Sequence, residues 1–260
     1  MLKPSQATDN RSLVRGLEIL RAFRPGLDFL TNSELAERTG LPKSTISRLT
    51  GTLVRCGFLQ HDALYGGYRL NATVLGLAHA MRSGSYILNQ SLELMETVGR
   101  QMRVNIGIAL PDHEDMIYLD TLRFGPKASL RKIVSGQRVP IALTSLGRAF
   151  ISTQEGEAAE DLMARLKQRH QRDWRQIKRD INRSVSQVHE FGFCAVSWQP
   201  QVVSIATPLV FKADPVHVLN MSLFTDQDTQ QVSHSLAPSL LRLRQAIEQR
   251  VAKAHEEQPH

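Results

Sequence analysis

The stretch TNSELAERTGLPKSTISRLT, residues 31–50, leaves the backbone few choices. Thr31 and Glu34 have the spacing of a capping box, and Leu30 and Leu35 hold the positions of a hydrophobic staple. Gly40 stands where a left-handed residue closes a helix. Pro42 opens the next helix, where its missing N–H costs nothing. Two helices joined by about three residues around a glycine form a helix-turn-helix.

The second helix of the pair, 42–55, has two unlike faces. At about 3.6 residues per turn, Ile46, Leu49 and Leu53 make a core-seeking stripe, while Ser44, Ser47, Arg48 and Gly51 gather almost opposite. Hydroxyls and a guanidinium suit phosphates and base edges. Gly51, without a side chain, lets the helix axis sit close to a neighbouring surface. The alternative is a plain solvated face, but such faces are rich in Glu and Lys, and no acid occurs from Leu41 to Gln60.

The flanking segments extend this unit. Leu13, Val14, Leu17, Leu20 and Phe23 recur at helical spacing, predicting an amphipathic helix over 11–24 that ends at Pro25-Gly26. After Gly57 the period becomes that of a strand: FLQHD and YRLN flank Tyr65-Gly66-Gly67, a hairpin over 58–71. A hairpin behind such a helix is a wing; Arg69 then lies along a DNA backbone or is an ordinary exposed strand residue. Charge follows the same division. Residues 1–84 hold 11 Lys/Arg against 6 Asp/Glu, whereas the other 176 hold 21 against 19, so most of the positive excess sits where a polyanion is expected.

At 260 residues and 42% hydrophobic, the chain is long enough for two compact domains. Its apolar runs are short of the roughly 20 residues of a membrane span, and MLKPSQATDN lacks a signal-peptide core, which points to a soluble, cytoplasmic protein. Cys56 and Cys194 are far apart with no CxxC, so neither a disulfide framework nor a zinc site is indicated.

SLVRGLEILRAF, TNSELAERTGLPKSTISRLTGTL and GGYRLNATVLGLA, in that order, resemble the DNA-binding half of IclR-family transcriptional regulators. The resemblance implies a winged helix-turn-helix with 42–55 as recognition helix, whose candidate DNA contacts are Lys43, Ser44, Thr45, Ser47, Arg48, Gly51 and Arg69 on the wing. TVLGLAHAMRSG, 73–84, is similar to the family's linker helix, which joins the domains and helps pair subunits; an extra helix of the first domain would look much the same. From residue 85 the pattern is mixed: a helix through LNQSLELMETVGRQM, strands at VNIGIAL, MIYLDTLR and LRKIV, helices at 145–153, 157–169 and 173–191, strands at SIATPLV and HVLNMSLF, and a last helix near 229–254. GQRVPIALTSLGRAFIS, EFGFCAV and VVSIATPLV match the family's effector-binding domain in order. The expected fold class is therefore α+β, an N-terminal winged helix-turn-helix joined by a linker helix to a GAF-like effector-binding domain. The divisions are a flexible tail (1–10), the DNA-binding domain (11–72), the linker helix (73–84) and the effector-binding domain (85–256).

The family's ligand pocket lies at its PxxxTxxGR/K motif, here Pro140, Thr144, Gly147 and Arg148. Carried over position by position, the pocket comprises Arg131, Ser145, Leu146, Gly147, Ser204, Asn220 and Ser222. A helix starting near Ser145 aims its N–H groups at an anion. AVSWQPQ has Trp198 and no carboxylate where family members often carry acids, and Ser204 stands where a cysteine is common, so the identity of the metabolite does not transfer.

Other candidates carry less. His189 and Cys194 are poorly spaced for a nucleophile and base, with no third orienting group. Asp112, His113, Glu114 and Asp115 read as charges of a hairpin turn rather than metal ligands. The eight Lys/Arg of 165–183 read as a solvated surface. No catalytic residue, metal site or cofactor is expected.

The reading is a transcriptional regulator, not an enzyme. It binds a pseudo-palindromic operator in double-stranded DNA as a homodimer or homotetramer and senses a small organic acid effector, with no membrane partner. One recognition helix reads too few base pairs alone, and a pair would place half-sites about 34 Å apart. The alternatives are a metabolite-processing enzyme with an appended DNA-binding domain, distinguished by turnover of the ligand, and a regulator with an empty sensor domain, distinguished by a pocket of bulky apolar side chains.

Overall fold

The computed structural model of the protein describes residues 9–125, 134–212 and 214–257. The chain forms two compact units, Met1–Gly84 and Ser85–His260.

In the first unit, α1 (Arg11–Ala22), β1 (Leu30–Thr31), α2 (Asn32–Thr39), α3 (Lys43–Arg55), β2 (Leu59–Asp62), β3 (Gly67–Leu70) and α4 (Ala72–Gly84) follow in order. Asn10, the last residue assigned to the tail, caps α1 by accepting from the amides of Ser12 and Leu13. The rest of the tail lies outside the described residues apart from Asp9. The capping box is present: Thr31 accepts from the Glu34 amide, and Glu34 accepts from the Thr31 amide at 2.8 Å. These hydrogen bonds hold the Glu34 carboxyl below its ordinary value. Gly40 closes α2 at φ 67°. Pro42 is the N-cap of α3 rather than its first residue.

The core beneath these helices is Ile19, Phe23, Leu30, Leu35, Ile46, Leu49 and Leu59. The α1 periodicity is correct, but part of its stripe faces outward: Leu13, Val14 and Leu17 are exposed while Ile19 and Ala22 are buried. The hairpin β2–β3 pairs Leu59 with Leu70 and Asp62 with Gly67, and β1 adds a short third strand beside β3.

The second unit contains α5 (Tyr86–Met102), β4 (Asn105–Asp112), β5 (Asp115–Leu122), β6 (Arg138–Pro140), α6 (Ser145–Ile151), α7 (Gly156–Arg169), α8 (Trp174–Phe191), β7 (Cys194–Gln199), β8 (Val202–Leu209), β9 (His217–Phe224) and α9 (Thr229–Glu257). The strands form one antiparallel sheet in the order β6-β5-β4-β9-β8-β7. Side chains alternate across it. Ile106, Ile108, Ile205, Leu219 and Met221 face a core shared with α5 and α9, whereas Ala109, Ala206 and Val218 face one shared with α6, α7 and α8. The strand expected at LRKIV lies outside the described residues except for Val134. The third strand seen is Arg138–Pro140, paired with β5. The edge strand β7 was not expected as a strand.

The acids stand at the β4–β5 turn and all eight Lys/Arg of 165–183 are exposed, and two of those arginines also reach the acids. Arg138 pairs with Asp112 and Asp115, Arg169 with Asp115 (2.9 Å) and Arg165 with Glu114 (2.9 Å), so α7 is tied to the hairpin turn.

Candidate DNA-reading helix and effector site

On α3, Ile46, Leu49 and Thr50 are buried, and Lys43, Ser44, Ser47 and Arg48 are exposed. Thr50 satisfies its hydroxyl on the Ile46 carbonyl at 2.8 Å. Thr45 is half-buried, so it flanks the exposed face rather than belonging to it. Ser47 is oriented from the preceding helix, its Oγ accepting from Asn32 Nδ2 at 3.3 Å. A Cβ added at Gly51 would meet only Arg55 Nη1, at 3.6 Å. Nothing inside the domain therefore demands glycine there.

Arg69 is occupied within its own domain. Its guanidinium lies 3.5 Å from Asp28 and 3.8 Å from Asp62, and stacks over the Phe29 ring at 4.9 Å. These contacts engage its charge within the domain, and the side chain stays 44% exposed beside them.

In the second unit, α6 crosses one face of the sheet. Thr144 caps it by accepting from the Gly147 amide at 3.2 Å. Helix α6 has only seven residues, and its cap takes the Gly147 amide, one of the amides without an intrahelical partner. A Cβ on Gly147 would fall 2.1 Å from the Ile141 carbonyl oxygen; this glycine lets the helix pack on backbone. Leu146 is 1% exposed and belongs to the core.

Below α6 the structure brings three of the named residues together. Ser145 Oγ donates to Ser204 Oγ at 2.9 Å, and Asn220 Nδ2 donates to the same oxygen at 3.0 Å. Ser204 thus accepts twice and keeps its own proton to donate. Asn220 Oδ1 is buried with no hydrogen-bond partner. Ser222 pairs with Ser204 across the β8–β9 ladder and is half-buried on the same face. Arg131 lies outside the described residues.

Tyr118, not named from the sequence, joins this row. Burial raises its phenol above the ordinary value, and the adjacent Asn220 amide offsets part of that rise. It fits because Gly107 leaves room: a Cβ there would meet the Tyr118 ring at 2.4 Å and Asn220 Oδ1 at 2.8 Å. The available signal was the alternation of Met116 and Tyr118 toward one face.

His189 and Cys194 do not form a pair. His189 Nε2 bonds the Ser152 carbonyl at 3.0 Å, whereas the Cys194 thiol donates to the Ser145 carbonyl and burial pushes it up to about 12. Among the described residues no cluster of His, Cys, Asp and Glu could hold a metal, and no helix is long and apolar enough to cross a membrane.

Residues 12–63 match the model of the IclR helix-turn-helix domain. A solved IclR family transcriptional regulator from Brucella abortus is 31% identical, with a TM-score of 0.81 over 95% of this chain and 96% of that one. The chain belongs to the IclR family of transcriptional regulators. Its fold is the IclR one, a winged helix-turn-helix with a GAF-like second domain. Among IclR relatives, the HTH-type transcriptional regulator TsaQ1/TsaQ2 of Comamonas testosteroni is 29% identical over 185 residues, covering 70% of this chain and 66% of that protein. A solved IclR homolog from Microbacterium hydrocarbonoxydans, complexed with 4-hydroxybenzoate, shares the fold at 21% identity and a TM-score of 0.68, over 93% of this chain and 99% of that one.

Proposed function

We propose that this IclR-family regulator reads a pseudo-palindromic operator as a homodimer, in the cytoplasm, through Lys43, Ser44, Ser47 and Arg48 of α3, and that a small organic acid held over Ser204 changes that binding. The observation that carries the effector reading is the buried row at Ser145, Ser204 and Asn220. It offers one hydroxyl proton and one unpaired amide oxygen, beside Ser222 and Tyr118. A few convergent polar groups in an apolar setting orient a small molecule, and an unpaired buried acceptor costs about 1–3 kcal/mol until something donates to it. The fold relative that carries 4-hydroxybenzoate supports an acid as the class of ligand.

Pairing is supported by exposed apolar side chains on two helices of the first unit: Leu13, Val14 and Leu17 on α1, and Leu75, Leu77 and Met81 on α4. Helix α4 has no buried residue. It is the linker helix of this reading and the means by which ligand occupancy biases the paired reading heads, through unequal affinity for their two arrangements. The separate groups contacted by His189 and Cys194 support a binding rather than a catalytic domain.

The test is a thermal-shift screen against organic acids, since a ligand that binds only the folded state raises the melting temperature. Operator binding is then measured with and without each hit. The expected result is a hit that alters operator affinity and is lost in Ser204→Val. A panel with no hits, or hits indifferent to Ser204→Val, sinks the effector assignment.

A further inference from the structure

Between α6, α8 and the edge strand β7 lies a cavity of about 430 Å³ that the reading above does not use. That volume is within the roughly 300–1,000 Å³ of small-molecule sites. Leu143, Val196 and the indole of Trp198 form its apolar wall, and Arg148, Arg183 and Asp180 bring the charge. Arg148 Nε donates to the Ala142 carbonyl at 3.1 Å and Nη1 reaches Ser184 Oγ at 3.4 Å. A guanidinium has five N–H donors, so these two acceptors leave most of its capacity unspent. Asp180 accepts from Gln176 Nε2 at 3.0 Å. Two guanidiniums against one carboxylate leave the lining net positive, and no residue of β7, CAVSWQ, is acidic. Burial lowers the Arg148 guanidinium from its ordinary value; Asp180 opposes this and Arg183 adds to it. An anion in the cavity would relieve both effects.

We propose that this cavity is a second ligand site, for a small monocarboxylate with an apolar body. The carboxylate bridges Arg148 and Arg183, and the body lies on Leu143, Val196 and Trp198. Charge-assisted bonds to two guanidiniums fix the head group. The site is separate from the Ser204 row but adjacent to it. Val196 pairs with Ser204 in the β7–β8 ladder, and α6 supplies both Ser145 and Arg148.

The chain has two tryptophans, so in the full-length Trp174→Phe protein the emission of Trp198 reports occupancy directly. Benzoate is titrated, with benzamide as its neutral counterpart. The expected result is a saturable change with benzoate and none with benzamide. Arg183→Gln should weaken the benzoate response at least tenfold, while Lys178→Gln, the loss of a like charge elsewhere on the same helix, should leave it unchanged. Circular dichroism confirms that each variant is folded. No saturable change, equal responses to acid and amide, or equal weakening by Arg183→Gln and Lys178→Gln overturns the second site. A response lost in Ser204→Val but kept in Arg183→Gln places the probe on the buried row, which refutes this site and leaves the effector reading standing.

Discussion

Arg48 and Arg69 show how much a side chain's neighbours decide. Both were legible as basic residues, one on the second helix of the helix-turn-helix and one on the hairpin behind it. Arg48 stands exposed beside Ser44 and Ser47, whereas Arg69 is held by Asp28, Asp62 and the ring of Phe29. Asp28 and Phe29 lie far from Arg69 in the chain, so no local pattern could reveal that contact. Arg48→Ala is expected to weaken operator binding by about 1–3 kcal/mol if it reads a base, with the fold intact. Anisotropy with operator and scrambled DNA checks this; equal losses on both would mean a phosphate contact. Gly147 was legible as a motif glycine, but its reason was not: the Ile141 backbone fills the place of a side chain. Gly147→Ala should destabilise the second unit by about 1–3 kcal/mol through overpacking. An unchanged urea midpoint would refute that role.

Among the elements, those carrying their own stop and start signals were read best. The capping box, Gly40 and the wing hairpin stand close to where the residues put them. Helix α1 shows the limit of periodicity, which reports that a stripe exists but not what covers it. Its three outward apolar residues and the wholly unburied α4 are the surfaces that the proposed dimer would cover. The double variant Leu17→Lys/Leu77→Lys is expected to sediment as a monomer at concentrations where the parent is a dimer, with unchanged helix content. A dimer in both would remove these helices from the interface. The edge strands were hardest to see. Strand β6 has three residues, too few to show alternation, and β7 mixes Cys194, Ser197 and Trp198.

For the whole molecule, the stability curve follows a buried imidazole. His217 is 4% exposed at the start of β9, and its Nδ1 donates to the Pro215 carbonyl at 2.8 Å. Burial lowers its value below the ordinary 6.5; that hydrogen bond and Asp214 offset part of the drop. The unfolded chain therefore binds the proton first. The stability this group contributes is complete above about pH 6.5 and declines as pH falls toward the folded value. Melting temperature should fall between pH 7.5 and pH 5, less steeply in His217→Gln. The same slope in both proteins would exclude His217 as a source.

The ladder at the middle of the large sheet joins β4 to β9, with Asn105 opposite Ser222 and Ala109 opposite Val218. Its two halves are therefore made far apart in time. The reading head is complete once residue 84 is translated, and it has a core of its own. The sheet of the second unit stays open until β9 emerges from the ribosome, because β4 pairs with β5 at once but its other neighbour lies more than a hundred residues downstream. N-terminal units fold first during synthesis. A chain halted at residue 216 should resist limited proteolysis over 9–84 and be digested beyond it; protection of both parts would show that the second unit folds without β9. A growing chain thus has its helix-turn-helix unit folded before the sheet of its second unit can be completed.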